Sequence, residues 1–187
     1  KILPSHDASG RLTKEAARAL HLPEGTPVTV GGGDGACATH GAGVYAPGMA
    51  YMNLGSSAWL CTLSEKPVID AGMRVFSFFD IDGSHQSVCG TVQSAGAALD
   101  WALESLVLPG RKPGADAFEE MERLALGVPP GAEGVFFLPT LMGERTPWWD
   151  AHARGTLVGA TLYHGRGHIA RAPRMRVWRR GCAFATA

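Results

Sequence analysis

The sequence predicts an α/β fold, because strand-like and helical segments alternate along its 187 residues. Three observations support this prediction. A short β-branched segment, 27–30, is followed by three glycines and by a helix of small residues that begins at Asp34. Several strand-like segments follow residue 47. Beyond them, 95–106 and 115–126 carry apolar residues at helical spacing.

The first part of the chain reads as helix, strand and helix. Thr13 can accept a hydrogen bond from a free N–H of the first turn, so we expect a helix from there to Leu20. A Pro-Glu-Gly turn at 23–25 follows. We expect 27–30 to be a buried strand, and the glycines after it to form a tight turn leading into the helix at Asp34.

The middle of the chain reads as a set of strands. We place a domain boundary near Pro47-Gly48, with a first domain of 1–46 and a second of 47–187. The expected strands are 49–54, 58–63, 75–79 and 87–92. Gly55-Ser56-Ser57 joins the first two, and this connection is short enough to form an antiparallel hairpin.

The last part contains two amphipathic helices and a loop. Helix 95–106 and helix 115–126 each have one apolar face, and the second turns Phe118 and Met121 inward. A short buried strand at 135–138 leads into a polar, aromatic loop at 139–154 that suits a surface site. The tail 173–187 is atypical, because six basic residues lie between Arg166 and Arg180 and no acid follows Asp150.

Composition describes an ordinary globular protein, with 45% hydrophobic and 18% charged residues. Seventeen basic residues balance seventeen acidic ones, so no overall field favours nucleic acid or an anionic membrane. The four cysteines form no metal-ligand pattern, and we expect free thiols. Without a long apolar run or a secretion signal, we expect a cytoplasmic protein.

Two short segments could carry chemistry. Asp34 follows a strand and three glycines, so its carboxylate would be held rigidly and could act as a base; as an alternative, it is only a helix N-cap. The turn Gly55-Ser56-Ser57 offers N–H groups and hydroxyls with little bulk, as a phosphate cradle requires, although many ordinary turns have this sequence.

In this order, the features resemble the FGGY family of carbohydrate kinases. The shared pattern runs from Gly31-Gly32-Gly33-Asp34, through Pro47-Gly48, to Gly55-Ser56-Ser57. Ser94-Ala95-Gly96, which leads to Asp100-Trp101, is similar to the helix start near the nucleotide. Phe137-Leu138-Pro139, Gly143-Glu144-Arg145-Thr146-Pro147 and Asp150-Ala151-His152-Ala153-Arg154-Gly155 are similar to the last motifs. The similarity covers residues 12–172.

The resemblance implies an actin-like, ribonuclease H-like ATPase fold, of which this chain is a fragment covering the end of domain I and the front of domain II. It implies phosphorylation of a sugar hydroxyl by ATP, with Mg²⁺ accompanying the nucleotide. Asp34 would be the catalytic base, and Asp34 and Gly35 would contact the sugar. The implied nucleotide contacts are Gly55, Ser56, Ser57, Gly96 and Asp100. Sugar and ATP are then the partners, without nucleic acid or membrane, and a homodimer is left open.

Other polar and aromatic residues of the loop have ordinary explanations. We expect Arg145 to form a surface ion pair with Glu144 or Asp150. Trp148 and Trp149 could stack on a sugar, but we expect them to pack the loop onto its domain.

The sequence departs from the family pattern at two places. Gly35 stands where many members have Asn or Gln, so the identity of the sugar stays open. The similarity of residues 75–96 favours a ketopentose, D-xylulose, and gluconate is the alternative. The stretch 173–181 cannot pack as the family's helix does, and we attribute it to a disturbed reading frame or cloning artefact.

The resemblance covers less than half of a family member, so we expect the 187 residues to be inactive alone. A non-catalytic, actin-like fold remains an alternative. Nucleic-acid binding by the arginine-rich tail is a third, and it lacks the interleaved aromatic residues of such a surface.

Overall fold

The computed structural model describes residues 2–173. Helices and strands alternate there, which confirms the predicted α/β class. The strands are β1 (Ala8–Arg11), β2 (Pro27–Thr29), β3 (Ala50–Leu54), β4 (Ala58–Ser64), β5 (Phe76–Phe79), β6 (Gln86–Val92), β7 (Phe136–Leu138) and β8 (Thr156–Val158). The α-helices are α1 (Lys14–Leu20), α2 (Asp34–Gly41), α3 (Gly96–Ala102) and α4 (Ala115–Leu126), and residues 166–173 are also helical. The expectation about the tail falls outside these residues, except at Pro173, which is helical.

The chain divides into two compact units. Unit 1 contains the residues up to Tyr51, Cys61–Val68 and Ser77–Val88. Unit 2 contains Met52–Leu60, Ile69–Phe76 and the residues from Cys89 onward. Among residues 2–173, no helix has the length and apolar character that crossing a membrane requires.

Helix α1 begins as predicted. Thr13 is its N-cap, and the Thr13 hydroxyl accepts a hydrogen bond from the N–H of Ala16 at 3.3 Å. The helix ends at His21, which has the left-handed backbone conformation (φ 54°) that often closes a helix.

The strand at Pro27–Thr29 forms, but its predicted burial is wrong. It pairs only with β1, in an antiparallel two-stranded sheet that aligns Ala8 with Thr29. All residues of both strands are exposed, because this small ribbon has no covering layer among the described residues. Strand β1 was not predicted, because its residues Ala-Ser-Gly-Arg lack the β-branched side chains typical of strands.

The four predicted strands of the middle segment are confirmed, and they form one sheet with the order β3-β4-β6-β5. The neighbours β3 and β4 are joined by the turn at Gly55-Ser56-Ser57. Strand β6 lies inside the sheet, and every residue of Gln86–Val92 is buried. Its position between β4 and β5 accounts for this burial.

The helices of unit 2 pack around an apolar core. Helix α4 has the predicted bounds, with Met121 and Ala125 buried and Phe118 partly buried against them. The first predicted helix, 95–106, changes its winding: α3 is followed by a π-helical turn at Leu103–Val107, where the N–H of Leu108 donates to the carbonyl of Leu103 at 2.8 Å. This wider turn places Leu103 and Val107 in the same core.

Strand β7 pairs with β8 in an antiparallel ribbon that aligns Phe137 with Leu157. Val135 and Phe137 are buried as predicted, whereas Phe136 is exposed. Strand β8 was not predicted, because its three residues follow a loop and show no alternating pattern.

Candidate functional site

Asp34 lies in the first turn of α2, and its carboxylate is exposed. Gly33 is the N-cap, so the alternative in which Asp34 itself caps the helix is wrong. The N–H of Gly35 donates to Oδ1 of Asp34 at 2.8 Å. No other residue within 2–173 hydrogen-bonds this carboxylate. The first turn of a helix favours a negative charge, so the position suits an ionised carboxylate that keeps one oxygen accessible.

The glycines before Asp34 allow a close approach. Gly31 has a φ of +77°, and its N–H donates to the carbonyl of Ser5 at 3.0 Å. A Cβ at Gly32 would lie 2.2 Å from the Cγ2 of Ile81. Only glycine fits there without movement of Ile81, so this turn fixes the start of α2.

Gly35 contributes no side chain, and both of its backbone polar groups have partners inside the protein. Its N–H bonds to Asp34, and its carbonyl accepts the hydroxyl of Thr39 at 2.9 Å. A Cβ at this position would lie 3.6 Å from the Cζ of Phe78, an ordinary contact. Space for a side chain therefore exists beside Asp34.

The turn Gly55-Ser56-Ser57 is hydrogen-bonded to the start of α3. The carbonyl of Gly55 accepts the N–H of Gly96 at 2.9 Å, and the carbonyl of Ser56 accepts the N–H of Ala95 at 2.8 Å. A Cβ at Gly96 would lie 2.6 Å from the Gly55 oxygen. The structure thus brings together four of the predicted nucleotide contacts, and Gly96 acts on the turn through this close approach.

The hydroxyls of Ser56 and Ser57 have no hydrogen-bond partner within residues 2–173, and Ser56 is exposed. Asp100 lies further along α3 and is also exposed. Nearby, Ser94 Oγ is buried without a partner in the described part of the chain. The turn therefore offers the exposed Ser56 and the half-buried Ser57 on a fixed backbone.

The loop after β7 is largely exposed, as expected for a surface site, and two buried side chains anchor it from inside. Glu144 is buried, and its Oε1 accepts the N–H groups of Gln93 at 2.9 Å and Arg145 at 3.0 Å. The hydroxyl of Thr146, which is also buried, accepts the N–H of Thr91 at 3.0 Å. These two side chains were missed as anchors, although the Gly-Glu-Arg-Thr-Pro motif that contains them was recognised.

The expectation for Arg145 is wrong. Arg145 is exposed and forms no ion pair with Glu144 or Asp150, because the Glu144 carboxylate is turned inward to backbone N–H groups. Trp148 and Trp149 are 61% and 52% exposed, so the described part of the chain covers each residue in part.

An ion pair fixes the segment that this loop contacts. The Thr146 hydroxyl donates to the carbonyl of Arg74 at 2.7 Å. The Arg74 guanidinium donates to both oxygens of Asp70 at 2.9 Å. Hydrogen bonds from the Arg74 side chain and backbone N–H hold the pKa of the Asp70 carboxyl well below its usual range. This ion pair closes the turn that carries the Arg74 carbonyl.

Comparison with known proteins decides the family. A model of the C-terminal domain of the FGGY family of carbohydrate kinases matches residues 50–173. The chain belongs to the FGGY family of carbohydrate kinases. Similar curated relatives include a gluconokinase of Bacillus subtilis (strain 168), 28% identical over 92% of this chain, and a xylulose kinase of the same organism, 32% identical over 91%. The match covers 34% and 33% of these relatives, so the chain spans about a third of their length.

Solved FGGY kinases share the fold. A ligand-bound xylulose kinase from Lactobacillus acidophilus matches 95% of this chain and 35% of its own, with a TM-score of 0.83 and 28% identity. A gluconate kinase from the same organism matches 92% of this chain and 34% of its own, with a TM-score of 0.81 and 28% identity. The predicted actin-like, ribonuclease H-like fold is therefore confirmed.

Proposed function

We propose that the protein containing this chain phosphorylates a sugar hydroxyl with ATP, and that Asp34 is the catalytic base. The observation that carries this proposal is the state of the Asp34 carboxylate. It is exposed, lies in the first turn of α2, and has one oxygen oriented by the N–H of Gly35 while no other described residue bonds to it. Membership of the FGGY carbohydrate kinases supports the reaction class.

The base has a defined role in this reaction. Asp34 accepts the proton of the sugar hydroxyl as that oxygen forms its bond to the γ-phosphorus of ATP. The bond between the γ-phosphorus and the bridging oxygen breaks, and ADP leaves with those electrons. Rigid placement of the carboxylate matters more than its basicity, because phosphoryl transfer depends mainly on positioning and on charge neutralisation.

The turn at Gly55-Ser56-Ser57 is the proposed nucleotide contact. The hydroxyls of the exposed Ser56 and the half-buried Ser57 and the small size of its residues fit phosphate oxygens in size and chemistry. Hydrogen bonds to the backbone of Ala95 and Gly96 hold it in place, and Asp100 is the proposed contact further along α3. Bound ATP supplies the phosphoryl group, and the accompanying Mg²⁺ neutralises phosphate charge.

D-Xylulose is the proposed sugar, and gluconate is the alternative. Relatives of similar identity act, by their names, on either compound. Gly35 leaves open space beside Asp34 where a larger residue would otherwise contact the ligand. The absence of a side chain there sets the shape of the proposed sugar site.

The experiment is a substrate panel with the full-length protein that contains this chain. ADP release is measured with ATP·Mg²⁺ and D-xylulose, gluconate or glycerol, and the phosphorylated product is identified by mass spectrometry. We expect the highest kcat/KM with D-xylulose. A clear preference for gluconate would replace the substrate and keep the reaction, whereas no phosphorylation of any sugar would favour a non-catalytic actin-like protein.

We also propose that these 187 residues are inactive by themselves, because they span about a third of the matched relatives. The same assay with the purified 187-residue chain tests this proposal. ATP-dependent formation of xylulose phosphate would contradict it.

A further inference from the structure

In unit 1, His40, Asp80 and Asp82 place three possible metal ligands together. One ligand atom from each residue lies within 4.8 Å of the others. His40 belongs to the last turn of α2, and the two aspartates belong to the connection between β5 and β6. The His40 Nε2 contacts Oδ1 of Asp80, whose side chain is fully buried.

Hydrogen bonds orient both carboxylates of this group. Asp80 Oδ2 accepts the hydroxyl of Ser87 at 2.6 Å, and its Oδ1 accepts the N–H of Asp82 at 3.2 Å and contacts His40. Asp82 Oδ1 accepts the N–H groups of Ser84 at 2.8 Å and His85 at 2.9 Å, and its Oδ2 contacts the Nδ1 of His85. Outer hydrogen bonds of this kind fix the ligands of protein metal sites.

A second group in the described chain, Glu133, His164 and His168 in unit 2, has different chemistry. The Nδ1 of His164 accepts the N–H of Thr161 at 2.8 Å, and the Nδ1 of His168 accepts the N–H of Gly165 at 3.0 Å. A neutral imidazole that accepts a hydrogen bond at Nδ1 carries its proton on Nε2. Both rings therefore keep their proton on Nε2 and cannot offer that atom to a metal ion. The Nδ1 of His40 has no hydrogen-bond partner among residues 2–173, so this ring can carry its proton there and offer Nε2.

We propose that His40, Asp80 and Asp82 bind a divalent transition-metal ion of the zinc class. One imidazole nitrogen and two carboxylate oxygens suit Zn²⁺, Co²⁺ or Mn²⁺ better than Ca²⁺, which prefers oxygen ligands alone. By coordinating His40 and both aspartates, the ion links the end of α2 to the β5–β6 connection. It stabilises the helix that begins at Asp34, and the proposal does not depend on kinase activity.

The test is metal titration of the purified, chelator-treated full chain. Zn²⁺ binding is measured by calorimetry and Co²⁺ binding by visible absorption, in wild type, His40→Gln and Asp82→Asn. We expect one ion per chain and at least a roughly tenfold weaker binding in each variant. Asp82→Asn is a second, independent variant. The Asp82 side chain is partly exposed in a turn, so we expect its replacement to leave the protein folded. Circular dichroism confirms that each variant is folded.

His168→Gln is the matched control, and it should bind both ions like wild type. Zn²⁺ should also raise the thermal midpoint of wild type and of His168→Gln but not that of His40→Gln. Absence of saturable binding to wild type, or loss of binding in His168→Gln but not in His40→Gln, would overturn the proposal.

Discussion

The carbonyl oxygen of Gly55 accepts the N–H of Gly96 at 2.9 Å, and a Cβ at residue 96 would lie 2.6 Å from that oxygen. Gly96 therefore determines how closely α3 approaches the turn that carries Ser56 and Ser57. The turn is held by backbone contacts, so its hydroxyls remain free for a ligand.

Replacing Gly96 by alanine should displace this turn. We expect Gly96→Ala in the full-length protein to raise the KM for ATP by about tenfold or more, because small misplacements of binding groups weaken catalysis strongly. Steady-state kinetics at saturating sugar measure this change. Gly127→Ala is the control, since its Cβ would make an ordinary 3.5 Å contact with the Leu124 carbonyl. An unchanged KM for ATP in Gly96→Ala would contradict the proposed role of the turn.

Substitutions at two glycines near Asp34 should have different effects on stability and on sugar binding. A Cβ at Gly32 would lie 2.2 Å from Ile81, whereas one at Gly35 would lie 3.6 Å from Phe78. We expect Gly32→Ala to unfold at lower temperature and Gly35→Asn to keep the wild-type midpoint while changing the KM for the sugar. Thermal unfolding and sugar kinetics measure both effects. Equal midpoints for Gly32→Ala and wild type would show that Ile81 can move aside.

The ion pair between Asp70 and Arg74 should make stability depend on pH. The folded-state pKa of Asp70 is held below its ordinary value, chiefly by the Arg74 side chain, so the stabilisation is present above about pH 4 and is lost as pH falls further. We expect Asp70→Asn to lower the urea midpoint at pH 7 and to differ less from wild type at pH 3. Arg74→Gln should behave similarly. A difference between Asp70→Asn and wild type that grows toward low pH would contradict this sign.

The core of unit 2 should be sensitive at Met121. This side chain is 2% exposed and packs in the cluster that contains Leu103 and Ala125. We expect Met121→Ala to lower the free energy of unfolding by about 2–5 kcal/mol. Leu126, on the same helix and 67% exposed, is the control, and Leu126→Ala should change it by less than about 0.5 kcal/mol. Denaturant unfolding followed by circular dichroism measures both, and similar losses would contradict the assigned core.

Strong local patterns predicted most of this fold. Helix α4 has the predicted bounds because Phe118 and Met121 follow helical spacing, and Thr13 marks a helix start through its capping hydroxyl. The strands β1 and β8 depend on pairing with distant segments, which no local pattern records. For the same reason, the sequence did not reveal that β2 is exposed.

The candidate site, like the fold, was predicted only in part. The motifs identified Asp34, after three glycines, and the turn at Gly55-Ser56-Ser57 as candidate groups. The close approach of Gly96 to this turn was not predicted. The inward direction of the Glu144 carboxylate could not be predicted, because it depends on the backbone of Gln93 from another part of the chain. The same applies to the contact between His40 and Asp80.

The most direct test of the proposed base is the turnover of Asp34→Asn in the full-length protein, measured at saturating ATP and sugar beside the affinity for ATP. The substitution keeps the shape of the side chain and removes its capacity to accept a proton. Asp116→Asn, a change at another exposed carboxylate in the first turn of a helix, is the control. We predict a kcat about 10²–10⁴-fold lower with little change in ATP affinity. A turnover equal to that of wild type would contradict the assignment of Asp34 as the catalytic base.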